Sequence, residues 1–169
     1  MEKIEALFSR LDAGIAALEK TKSQLNRYKQ SVLISKFEAL KNATNATKTI
    51  GELFKVETGA TPKRGVAKYW ENGTVPWITS TAVNQKAITV YQELITDDAV
   101  KETNAKIYPK GSLIMAMYGE GKTRGMVSEL CIEASSNQAC AAIIFNRENE
   151  YYKDYIRLYL LMSYEETRR

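Results

Sequence analysis

Gly121-Lys122-Thr123 follows the apolar run SLIMAMY and spells the end of a phosphate-binding loop. Such a loop cradles phosphate with backbone N–H groups and a lysine, and its Thr holds a metal ion. The pattern needs a glycine five residues before Gly121, and Ala116 stands there. It also needs a helix after Thr123, whereas RGMVSELCIE opens on glycine and reads as a strand. Without that helix, neither its dipole nor its free N–H groups can hold phosphate. Gly119 to Gly125 is instead read as a glycine-rich turn that projects Lys122 and Arg124 from a strand end, with Tyr118 beside them.

A second loop carries the same chemistry. TGATPKRGVAKYWENG, residues 58–73, holds Lys63, Arg64 and Lys68 with no acid between Glu57 and Glu71, and Tyr69 and Trp70 follow. Lys and Arg reach phosphates, and Arg can read guanine through two hydrogen bonds. In WITSTAVNQ, Ser80, Thr81, Asn84 and Gln85 follow an apolar run. Asn and Gln suit adenine, while Ser and Thr suit phosphate or either base. Trp70 and Trp77 are read as core residues rather than base-stackers, because their large apolar bodies gain most from burial. Polar basic loops point to DNA over a small molecule. Nothing in the sequence assembles a catalytic constellation: histidine is absent, and two cysteines are too few for a zinc site. Cys131 and Cys140 read as reduced thiols. The charged N-terminus has no signal-peptide core, and no apolar run approaches the roughly 20 residues of a membrane span. A cytoplasmic protein is expected.

These loops need elements to hold them. The chain has 169 residues and a formal charge of +4. Residues 1–48 carry nine Lys/Arg against five Asp/Glu, and the remainder carries fifteen of each, so the first segment holds the whole excess. Ile4, Leu11, Leu18, Leu25 and Val32 recur every seven residues, with Leu7 and Tyr28 at the second heptad position. A sustained seven-residue repeat implies helix-on-helix packing. The spacing predicts one helix from residue 2 to about 41, spanning about 60 Å at 1.5 Å per residue. It should fade in KNATNATKT, residues 41–49. Beyond it, short apolar runs alternate with Gly, Pro, Asn and Thr, as strands joined by turns do. Residues 150–164 return to helical spacing. The expected fold class is α+β, a long coiled-coil helix followed by a compact mixed domain.

The order TGATPKRGVAKYW, VPWITSTAVN, YPKGSLIMAMYGEGKTRG and SSNQACAAI resembles the target-recognition domain of type I restriction-modification specificity subunits. The family's Gly-x-Thr-Pro turn matches Gly59–Pro62, its aromatic pair Tyr69-Trp70, and its Pro-Trp-Ile strand Pro76–Ile78. A Gly-hydrophobic strand ending in Tyr-Gly matches Gly111–Gly119, and an Asn-Gln pair matches Asn137-Gln138. The heptad segment resembles the spacer helix of the same subunits.

The resemblance implies a spacer helix over 1–45 and a recognition domain over 46–169, built on a mainly antiparallel curved sheet. It implies a non-catalytic subunit that reads one half of a bipartite site on double-stranded DNA. Partner methyltransferase subunits would bind S-adenosylmethionine and modify adenine, and a restriction and translocase subunit would complete the enzyme. The family carries two helices and two recognition domains where this sequence has one of each. The second helix expected after SYEETRR is absent, so a half-length subunit cut within its recognition domain is expected. Two copies would pair through Ile4, Leu11, Leu18, Leu25 and Val32, or the helix would pair with another specificity half. Lys63, Arg64, Lys68, Lys122 and Arg124 are the expected DNA contacts, chiefly to phosphate. Ser80, Thr81, Asn84 and Tyr118 are candidates for base edges, and Asn137-Gln138 for bracing the fold. The alternatives are a remnant that no longer reads DNA and a coiled-coil protein-interaction module.

Overall fold

The computed structural model describes residues 2–43, 47–119 and 121–164. The Asn/Thr stretch at 44–46, Glu120 and residues 165–169, all touched by expectations above, lie outside the described residues. The chain divides into two compact units, 1–45 and 46–169.

The first unit is one helix, α1 (Glu2–Ala43). It contains no proline, and Gly14 is its sole glycine. Its 42 residues extend about 63 Å at the α-helical rise. The heptad residues Ile4, Leu11, Leu18 and Leu25 are each more than half exposed. A seam of this kind adds little to an isolated helix, because helices gain most of their stability from packing an amphipathic face.

The second unit opens with the single turn α2 (Ile50–Leu53) and then β1 (Lys55–Thr58). The Glu52 carboxylate accepts the backbone N–H of Thr49 at 2.6 Å, a capping-box contact that starts the turn. There follow β2 (Val75–Ile78), β3 (Ala87–Ile88), β4 (Glu93–Ile95) and α3 (Asp97–Glu102). The remaining elements are β5 (Leu113–Ala116), β6 (Val127–Leu130), β7 (Ser135–Ser136), β8 (Cys140–Ile144) and α4 (Lys153–Met162).

The strands form two sheets rather than one. The larger has the order β1-β8-β5-β6-β3 and the smaller β4-β2-β7. Four pairings are antiparallel, and β2–β7 and β3–β6 are parallel, so the mainly antiparallel expectation holds. Period-two alternation distributes the larger sheet's side chains between two cores. Leu113, Val127 and Ile143 pack with Phe54 and with Ile156 and Leu160 of α4. Ile114, Ala116, Leu130 and Ala142 pack with Ile78, Val83, Ile88 and Tyr108. A third cluster, Val75, Trp77, Ile95 and Ala99, joins the smaller sheet to α3. Strand β2 bridges the layers, because Val75 and Trp77 face this third cluster while Ile78 faces the second.

Candidate nucleic-acid interface

The loop residues singled out by the sequence gather around one short segment, Asn137–Ala139, which precedes β8. Asn137 donates its N–H to the Ile78 carbonyl at 3.1 Å, tying the segment to the 79–85 turn. Ala60 donates to the Ser136 carbonyl at 2.8 Å, and the Thr61 hydroxyl donates to the Gln138 side-chain oxygen at 2.7 Å. Those bonds hold the 59–70 loop. The Ala139 carbonyl accepts the Met117 N–H at 2.8 Å and so holds the β5–β6 loop. That loop is tied in turn to the 79–85 turn, where Asn84 donates to the Thr123 hydroxyl at 3.0 Å. Gly59 permits the closest of these approaches. A Cβ there would lie 2.2 Å from the Ser136 carbonyl oxygen and 2.4 Å from that of Asn137.

The five expected cations divide by their partners. Lys63, Lys122 and Arg124 are exposed and form no ion pair with another described residue. Arg64 instead forks onto Glu93 of β4, at 2.5 and 2.8 Å, and its guanidinium lies 3.9 Å from the Trp70 ring centroid. The Arg64 hydrogen bonds hold the Glu93 carboxyl below its ordinary range. Lys68 pairs with Glu102 of α3, which also accepts the Tyr69 hydroxyl at 3.0 Å. These hydrogen bonds lower the Glu102 carboxyl and raise the Lys68 ammonium. Arg64 and Lys68 thus brace their loop against β4 and α3. Trp77 is buried and donates to the Ala60 carbonyl at 3.1 Å, and the half-buried Trp70 donates to that of Lys63 at 3.3 Å.

Among the base-edge candidates, Tyr118 is exposed. Thr81 shares a hydrogen bond with Thr79 at 2.7 Å, and Asn84 is engaged with Thr123. Ser80 is half-buried beside them. Asn137 and Gln138 brace the fold: the Asn137 side-chain oxygen accepts the Ala139 N–H at 3.2 Å, and Gln138 holds Thr61. Gly121-Lys122-Thr123 lies between two antiparallel strands, with Thr123 buried and bound to Asn84.

A family model described as the type I restriction modification DNA specificity domain matches residues 42–168. The chain belongs to this specificity-domain family. It is 28% identical over 145 residues to the type I restriction enzyme EcoR124I/EcoR124II specificity subunit of Escherichia coli, covering 85% of this chain and 34% of that protein. It is 35% identical over 71 residues to the MjaIX specificity subunit of Methanocaldococcus jannaschii, covering 40% of this chain and 16% of the relative. The chain thus spans about a third or less of these relatives. Among solved structures, the HsdS subunit from Thermoanaerobacter tengcongensis shares the fold at TM-score 0.51 and 14% identity, covering 92% of this chain and 40% of the other. The S subunit from M. genitalium does so at 0.52 and 17%, covering 90% and 38%.

The specificity domain also uses residues that sequence reasoning missed. Glu93 and Glu102 stand 29 and 34 positions from the cations they engage, a separation that no local pattern reveals. Thr61 could have been found, because the Gly-x-Thr-Pro turn marks it.

Proposed function

We propose that this chain is a DNA-reading subunit of a type I restriction-modification enzyme and recognises one half of a bipartite site. The reading rests on one conjunction. A chain of the specificity-domain family gathers three polar loops on the Asn137–Ala139 segment and leaves Lys63, Lys122 and Arg124 without ion-pair partners among the described residues. Those three cations contact phosphate, while Ser80, Thr81, Asn84 and Tyr118 approach base edges. Arg64 and Lys68 join them only after leaving Glu93 and Glu102. The spacer segment spans 1–45, with α1 over Glu2–Ala43, and the recognition domain begins at 46. The subunit performs no chemistry; a partner methyltransferase holds S-adenosylmethionine and acts on adenine extruded from the duplex. A restriction and translocase subunit completes the cytoplasmic assembly. Two copies pair through the α1 seam. Among the described residues no helix is long and apolar enough to cross a membrane, in keeping with this setting.

The test is DNA binding by the chain assembled with its methyltransferase, measured against salt with a random-core duplex library. Selective enrichment, with affinity falling as salt rises, is expected. Binding of no sequence above background would sink the reading and favour a protein-interaction module.

A further inference from the structure

The β5–β6 loop carries Lys122 and Arg124 among three glycines. Gly119, Gly121 and Gly125 all have positive φ, at 146°, 58° and 83°. Glycine in such conformations leaves a loop many alternatives to sample. The base of the loop is closed by Gly125 donating to the Ala116 carbonyl at 2.8 Å and Met126 to that of Thr123 at 3.0 Å. Two side chains from elsewhere in the fold reach its tip. Asn84 holds the Thr123 hydroxyl, and the Tyr164 hydroxyl, just beyond α4, donates to the Lys122 carbonyl at 2.7 Å. Tyr164 lies 42 residues from Lys122 in sequence. The two exposed cations therefore flank a buried threonine, and the carbonyl between them is capped from outside the loop.

Building on the DNA-reading proposal above, we infer that Tyr164 is a positioning residue for DNA recognition: its hydroxyl fixes the Lys122 peptide and so sets where Lys122 and Arg124 meet the duplex. A peptide unit is planar, so anchoring its oxygen restricts the orientation of the residues on both sides. A loop ordered before binding loses less freedom on the DNA, and its cations arrive in one register instead of several. Selective binding depends on that register. Non-specific attraction to phosphate depends on charge alone.

The test compares the parent chain with Tyr164→Phe, each assembled with the methyltransferase. Phe keeps the ring and removes only the donor. Selectivity for the site enriched from the library is expected to fall five- to tenfold. The slope of affinity against salt stays unchanged, because no charge is lost. Amide exchange quickens at residues 121–126 and not in β8. Adding Gly121→Asn should restore part of the selectivity. Asn tolerates the left-handed conformation and stiffens the loop, and a Cβ at Gly121 meets nothing within 4 Å. By contrast, Lys122→Ala removes a charge and should flatten the slope by about 0.9. A selective parent whose selectivity survives Tyr164→Phe overturns the inference, as does a loss that Gly121→Asn leaves untouched. If the parent itself shows no selectivity, the DNA-reading proposal has failed and this one with it.

Discussion

Arg64 and Lys68 show what a sequence tells about a cation and what it withholds. An acid-free run from Lys63 to Trp70 is visible in the sequence, but Glu93 and Glu102 arrive through the fold. Both pairs are largely solvated, so neither adds much to stability. Their effect on DNA binding is separable from stability. Glu93→Gln removes the carboxylate that holds the Arg64 fork. The salt slope for DNA should then steepen by about 0.9, one added phosphate contact, with little change in melting temperature. An unchanged slope would make Arg64 a strut only. The pairs also carry a pH signature. The Glu93 and Glu102 carboxyls sit below the ordinary value of 4.5, so their contribution is fully present above that pH and is lost as pH falls through the folded value. The stability gap between the parent and Glu93→Gln should therefore close below about pH 4.5 in denaturant titrations. Burial acts at the other end, raising the Cys140 thiol to about 11 and the Tyr108 phenol to about 12 from ordinary values of 9 and 10. Both groups stay neutral in the fold, so stability should start to fall above pH 9, where the unfolded thiol ionises and the folded one does not.

At the scale of elements, what was legible was local. The heptad of α1 is written in consecutive turns, and the helix runs to Ala43 against an expected end near 41. The turn at Gly121 is legible for the same reason, because the next run lacks a helix start and forms β6. The apolar run ITVYQELIT, residues 88–96, suggests one strand, yet it holds the last residue of β3 and the whole of β4, which lie in different sheets. Ala87–Ile88 pairs with β6 and Glu93–Ile95 with β2, and neither partner is adjacent in sequence. Thr49-Ile50-Gly51-Glu52 is likewise a local signal, a capping-box spacing, and a helical turn starts there. The loop assembly makes its own demand at Gly59, where no side chain fits. Gly59→Ala should push the 59–64 loop off the Asn137–Ala139 segment and cost roughly 1–3 kcal/mol. Calorimetry would show the loss, and faster exchange at Ala60 would place it. An undisturbed melting temperature would mean that the loop docks less closely than the 2.2 Å approach demands.

At the scale of the whole molecule, α1 poses a problem that one chain does not solve. Its seam of Ile4, Leu11, Leu18, Leu25 and Val32 is exposed, and an apolar stripe about 42 Å long favours a matching helix over water. The segment between Glu19 and Glu38 has five cations and no acid, a like-charge repulsion between two copies that burial of the seam must outweigh. At about 63 Å, α1 exceeds one DNA turn of about 34 Å, so a pair of such helices is long enough to separate the halves of a bipartite site. Converting Leu18 and Leu25 together to Asp puts two carboxylates into that seam. Light scattering should then show the pair replaced by single chains, while the melting of the 46–169 unit stays in place, because its cores are built from other residues. DNA selectivity should fall far more than the change in mass alone implies. Each half-site would be bound without the other, and the gain from tethering two weak contacts at a fixed distance would vanish. A parent chain already single in solution, or a double variant that stays paired, would remove the seam from the proposal that paired helices space the halves of a bipartite site.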